Sequence, residues 1–124
     1  MGDGVDITLT TECHEELREL PKPDCHWIGG VIKSFQQKGW QAAVGDQTIG
    51  PLEDGFWELR VVGHGAAYRI LFFVAPGRSP RLVVLTLCLA KSESQKMRVL
   101  KAALGRASRR RLRWMEQEAK KNAG

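Results

Sequence analysis

Two arginines on neighbouring strand segments carry the clearest chemistry in this chain. Residues 56–62 and 66–75 alternate apolar and polar side chains with period two around Gly63-His64-Gly65, the pattern of a β-hairpin. A two-residue turn at His64-Gly65 gives one face Trp57, Leu59 and Val61 with Phe72, Ile70 and Tyr68, all apolar or aromatic. The other face carries Glu58 and Arg60 opposite Leu71 and Arg69. A register shifted by one would drive Arg69 in among Trp57 and Leu59, and burying an unpaired charge costs on the order of several kcal/mol. The favoured register therefore sets two guanidiniums side by side, an arrangement that is repulsive by itself. Two explanations fit. Glu58 neutralises one of the pair, or the pair is a phosphate site, because the arginine fork matches phosphate oxygens two at a time. Spacing alone leaves both open.

The remaining cations are concentrated late in the chain. Residues 1–92 hold 9 Lys/Arg against 11 Asp/Glu, and residues 93–124 hold 10 against 3, in a chain of net charge +5. Lys96, Arg98, Lys101, Arg106, Arg109, Arg110, Arg111 and Arg113 thus form a basic segment suited to a polyanion or an acidic protein, or to a solvated helix face. Trp114 beside them fits a core position better than a stacking surface. Cys13-His14 and Cys25-His26 lack zinc-ligand spacing, so no metal is expected, and nothing orients a Cys-His nucleophilic pair. No phosphate-binding or dinucleotide glycine pattern occurs, so no cofactor is expected. His64 reads as a solvated turn residue, and Glu15, Glu16 and Glu19 as a solvated helix face. Three scattered cysteines make no disulfide framework, which indicates a reducing cytoplasm. No apolar run approaches the ~20 residues that span a membrane, and no basic-then-apolar leader opens the chain.

These residues need a frame, and periodicity supplies one. A single domain over 1–124 is expected, with an N-terminal strand or arm in 1–10 (Ile7 to Leu9) and a basic C-terminal helix over 106–124. Thr11 is placed to cap a first helix rich in glutamate, and Pro21-Lys22-Pro23 stops it. Asp24 is placed to cap a second helix, whose Trp27, Ile28, Val31, Ile32 and Phe35 mark a buried stripe and whose end is Gly39. The two make a helical hairpin. Residues 40–55 read as a loop, and 81–89 as a third strand. From Glu93 the period is helical, with Met97, Leu100, Leu104, Leu112, Met115 and Ala119 near one face and a bend allowed at Gly105. The fold class is α+β: a helical hairpin packed on a small antiparallel sheet, followed by a C-terminal helix.

Leu52-Glu53-Asp54-Gly55-Phe56-Trp57-Glu58-Leu59-Arg60 resembles the "L-x-x-G-L-W-E-L-R" run of HigB-type toxins in the RelE/HigB superfamily, many of them phage-derived. Tyr68-Arg69-Ile70-Leu71-Phe72-Phe73 resembles that family's second-strand motif, and Leu85 to Ser92 occupies the place of its "L-H-G-F-x-K-K-T/S" segment. The resemblance spans most of the chain. It implies a RelE-like fold and a toxin of a toxin–antitoxin pair that cleaves messenger RNA in the ribosomal A site. Carried over by position, Arg60 and Arg69 are the family's sheet arginines, Lys91 is the second lysine of "K-K", and Tyr68 precedes the second arginine. Arg60, Arg69 and Lys91 would stabilise charge on the phosphoryl oxygens, with Tyr68 and Lys91 as proton-transfer candidates. Tyr68 ranks below the arginines because the hairpin register turns it toward the core.

The implied partners are a cognate antitoxin of helix-turn-helix type, the ribosome and messenger RNA, with DNA reached only through the antitoxin complex. Lys96, Arg98, Arg109, Arg110 and Arg113 would contact ribosomal RNA phosphates or an acidic antitoxin segment. The third motif departs from the family pattern: Thr86 stands for His, Leu87 for Gly, Cys88 for Phe, Ala90 for the first Lys, and Lys96 for a later Pro. Those departures support a second reading, a binding module of the same fold without catalysis.

Overall fold

The hairpin forms in the register that keeps Arg69 out of the core. In the computed structural model, which describes residues 4–63 and 65–123, β3 (Trp57–Gly63) pairs antiparallel with β4 (Ala66–Ala75). Trp57 faces Phe72, Leu59 faces Ile70, Val61 faces Tyr68, and Arg60 faces Arg69. His64 lies outside the described residues.

The sheet is larger than expected and is mixed. Its order is β1-β5-β4-β3-β2, with β1 (Val5–Leu9) at one edge, β5 (Arg81–Ala90) inside, and β2 (Ile49–Pro51) at the other edge. All pairs are antiparallel except β1 with β5, which corrects the expected antiparallel sheet. The cause lies at the end of β1. Thr10 donates its N–H to the Leu85 carbonyl and its hydroxyl to that of Thr86, which carries the chain along β5 before it turns back as a helix. Residues 40–55 also depart from the expected loop. Trp40 and Ala43 bury one side of the short helix α3 (Trp40–Gly45), the Trp40 ring lies edge-on to Trp57 at 4.8 Å, and Ile49 is buried in β2.

Helices cover both faces. On one, α1 (Thr11–Arg18) lies on β5 and α2 (Lys22–Lys38) reaches β1 and β3, so each packs on the sheet more than on its neighbour. Cys13, Leu17, Ile28 and Phe35 join Leu59, Ile70, Phe72 and Leu85 in that core. The cap of α1 is Thr10 rather than Thr11, its hydroxyl accepting from Cys13 N–H at 3.2 Å. Asp24 lies within the first turn of α2, whose N-cap is Pro21 and whose C-terminal Gly39 takes φ +86°.

On the other face, a four-residue helix α4 (Lys91–Ser94) precedes α5 (Met97–Ala123). The break falls before Met97 and not at Gly105, through which α5 runs unbroken. Its buried stripe is Ala103, Leu104 and Ala107, flanked by Leu100 and Trp114, against Leu71, Phe73, Leu87 and Leu89. Met97, Leu112, Met115 and Ala119 point to solvent, contrary to expectation, because alanines allow the helix to sit close on the sheet. A β-bulge at Leu71/Phe72 inserts Thr86 into β5, so Leu85 and Leu87 face opposite sides.

Candidate functional site

Glu58 is the organising group of the arginine pair. Its side chain is 6% exposed, and its two oxygens divide between the arginines: Arg60 Nε donates to Oε1 at 2.8 Å, and Arg69 Nε lies 2.6 Å from Oε2. The second contact lacks the angle of a hydrogen bond and acts as an ion pair. Each guanidinium is held again at its outer end. Arg60 Nη1 donates to the Gln47 carbonyl at 2.9 Å, and Arg69 Nη1 approaches the Ser94 carbonyl at 3.4 Å. The Arg60 guanidinium lies across Gly50, where any Cβ would collide with it, so the glycine in β2 is the seat of that side chain. Arg60 is 37% exposed and Arg69 16%. Two cations on one carboxylate leave a net positive charge, fixed in place and open to solvent on one side. Such an arrangement binds an oxyanion without having to reorganise.

The structure brings Arg60 and Arg69 together, and Glu58 satisfies both, which answers the repulsion that the sequence left open. Lys91 stands elsewhere. It opens α4 and shares a shallow depression with Tyr68 and Ala67 at the end of the sheet, one short helix away from the Ser94 carbonyl that meets Arg69. Tyr68 faces the α2 side, as the register requires, and its hydroxyl donates to Asp24 Oδ2 at 2.5 Å. Sequence reasoning missed Gly50, Gln47 and Ser94 as supports of the arginines, and no sequence pattern marks the last two, since they act through backbone carbonyls.

The basic segment divides. Arg110 makes a two-pronged ion pair with Glu16 on α1, at 2.9 and 3.0 Å, and also donates to the Thr86 carbonyl at 2.8 Å. Arg111 stacks over Phe56 at 4.2 Å and donates to the Asp54 carbonyl. Arg113 pairs with Glu12. Lys96, Arg98 and Arg109 are exposed. The described residues contain no group of His, Cys, Asp and Glu arranged to hold a metal ion, and no helix of the described chain is long and apolar enough to cross a membrane.

The family model for phage-derived Gp49-like proteins matches residues 15–112. This chain belongs to the Gp49-like family. That family is associated with the toxins of toxin–antitoxin pairs. No curated protein and no solved structure matches the chain significantly. In this Gp49-like protein the matched region holds Arg60, Arg69, Tyr68, Lys91 and the α5 cations through Arg111, and Arg113 falls beyond it.

Tyr68 is the single tyrosine of the chain, so its ionisation can be read without interference from another phenol. The hydrogen bond to Asp24 stabilises the protonated hydroxyl, and together with desolvation and the Asp24 charge pushes its pKa up to about 12. Asp24→Ala removes the acceptor and the negative charge together, so the phenolate forms at lower pH. A spectrophotometric titration at the phenolate absorbance should show the midpoint falling from about 12 toward the ordinary value of 10. An unmoved midpoint would show that Asp24 does not hold the hydroxyl in solution.

Proposed function

We propose that this Gp49-like protein is the toxin of a toxin–antitoxin pair, built on a RelE/HigB-like fold, and that it cleaves messenger RNA on the ribosome in the cytoplasm. The observation that carries this reading is the Arg60–Glu58–Arg69 cluster, two forked cations locked on a buried carboxylate at the sheet surface. In the reaction the ribose 2′-oxygen bonds to phosphorus and the bond from phosphorus to the 5′-oxygen breaks. The 2′-hydroxyl gives up its proton and the departing oxygen gains one. The arginines hold the phosphoryl oxygens as negative charge builds on them. They do not move protons, since a guanidinium stays protonated in proteins. That step is left to Lys91 and Tyr68, which share the neighbouring depression, with the Tyr68 hydroxyl oriented by its hydrogen bond to Asp24. The ribosome supplies in-line geometry, which accounts for so spare a site. Lys96, Arg98 and Arg109 meet ribosomal RNA phosphates, and Arg110 and Arg113 contribute field while they hold α1. A helix-turn-helix antitoxin neutralises the toxin, and DNA is contacted only through their complex.

The deciding experiment is primer extension on a reporter messenger after brief induction. Wild type should give new translation-dependent cuts, and soluble, folded Arg60→Ala/Arg69→Ala should give none. The same cuts from the double variant would sink the assignment.

One observation favours a second reading, a non-catalytic binding module. Thr86, at the position of the family's usual histidine, is fully buried and donates its hydroxyl to the Leu71 carbonyl at 2.8 Å, a structural role. Absence of cuts from soluble wild type without antitoxin would point to that module.

A further inference from the structure

Next to Arg60, α2 and the free end of β3 border a groove of ≈ 910 Å³ that charge stabilisation does not employ. Its size falls within the roughly 300–1,000 Å³ of small-molecule sites. Trp27, Val31 and Val62 form its apolar wall, with Trp27 39% and Val62 65% exposed. Ser34 on α2 adds a hydroxyl to the lining and Gln47 an amide, while the Thr48 hydroxyl is already engaged with Asp46 and Lys38. Lys38 at the rim is matched by Asp46, 2.6 Å away, so the groove itself is close to neutral. At one end it is lined by Arg60.

An extended peptide is a poor occupant. The outward carbonyl of Val62, which an added strand would use, already accepts the Trp27 indole N–H at 2.9 Å, and the indole lies against Gly63 so closely that a Cβ there would collide with it. The indole caps the edge of the sheet. What fits instead is a flat group with apolar faces and hydrogen-bonding edges, joined to a phosphate at the Arg60 end. That is the chemistry of a nucleotide in single-stranded RNA.

We propose that this groove receives the base of the nucleotide adjoining the phosphate held by Arg60 and Arg69. The inference rests on the RNA-cleaving reading above and adds to it a base subsite outside the arginine cluster.

Two adjacent glycines make the test clean. Gly29 and Gly30 both lie in α2 with no atom near an added Cβ, but only Gly30 lines the groove. Leucine at either position removes the conformational penalty of a helical glycine and should raise the melting temperature. Only Gly30→Leu sets a side chain into the groove, beside Trp27 and Val31. The ligands are a fluorescein-labelled hexanucleotide, 2′-O-methylated so that it cannot be cut, and its abasic counterpart with the same phosphates.

Wild type and Gly29→Leu should bind the base-bearing strand about tenfold or more tighter than the abasic one, as base stacking and contacts of this kind provide. Gly30→Leu should lose that preference and keep its affinity for the abasic strand. Equal binding of both strands by wild type, with both weakened in Arg60→Ala/Arg69→Ala, would overturn the groove and leave the phosphate site standing. A base preference that survives loss of the arginines would support the groove and remove the phosphate site. Retained base preference in Gly30→Leu, with antitoxin binding lost, would overturn the proposal in favour of a protein-docking surface.

Discussion

Glu58→Gln is expected to slow RNA cleavage about 10²-fold, the loss that a misplacement of about 1 Å produces, while tightening RNA binding. The two effects have opposite signs because the carboxylate does two things. As a charge it offsets Arg60 and Arg69, so its removal raises the local positive charge and the attraction for phosphate. As a fixed anion it holds Arg60 Nε by a hydrogen bond at 2.8 Å and Arg69 Nε by an ion pair at 2.6 Å, and without it the guanidiniums repel one another and splay. Glutamine keeps the shape and one carbonyl oxygen, and gives up the charge that attracts both cations. Fold stability should fall by about 2 kcal/mol, below the 3–5 kcal/mol of a fully buried pair because Arg60 is 37% exposed. Three measurements separate the roles: urea unfolding, oligonucleotide affinity against salt, and the initial rate of ribosome-dependent cleavage. The plot of log affinity against log salt should steepen by about one phosphate contact. Tighter binding with cleavage unchanged or faster would reduce Glu58 to a simple counter-charge and remove its positioning role.

The arginine pair was legible because one physical cost decided it. Period-two alternation fixed two faces, and a single misplaced guanidinium excluded the competing register. The strands β3 and β4 therefore followed from local pattern. The parallel pairing of β1 with β5 did not, because what determines it, the bonds of Thr10 to Leu85 and Thr86, joins segments far apart in sequence. Residues 40–55 looked like a loop since Gly45, Gly50, Pro51 and Gly55 dominate its pattern. Gly50 belongs to a strand, and its lack of a side chain serves Arg60. Tyr68 illustrates a different limit. Its face was evident from the register, but its partner was not, because Asp24 had a competing local use as a helix cap. The stripe of α5 was misplaced for a related reason: large apolar residues at 97, 112 and 115 suggested a face, whereas Ala103 and Ala107 provide the close contact. Composition marked α5 as basic, and only packing distinguishes the cations that point outward from those that hold the fold together.

That distinction yields the largest stability effect expected among the α5 cations. Arg110→Ala should destabilise the fold by about 3 kcal/mol, the lower part of the range for breaking a buried ion pair, since Glu16 is 32% exposed. Three groups lose a charged donor at once: Glu16 Oε2 loses its bond, while Oε1 keeps only the Cys88 N–H and the Thr86 carbonyl only the Thr10 hydroxyl. The guanidinium is 15% exposed and links α1, β5 and α5, so water cannot simply take its place. For a domain of this size the melting temperature should fall on the order of 10 °C. Arg109→Ala, one residue away on the exposed side, should stay within about 0.5 kcal/mol of wild type. Arg113→Ala should cost under about 1 kcal/mol, because its pair with Glu12 lies at the surface. Calorimetric melting of the three variants checks the order. RNA affinity, measured on the folded variants well below their melting points, should run the other way, with Arg109→Ala the most affected. Equal melting temperatures for Arg109→Ala and Arg110→Ala would mean that the Glu16 pair does not hold α1 to the sheet, and the division of the basic helix into fold-holding and outward-facing cations would fall with it.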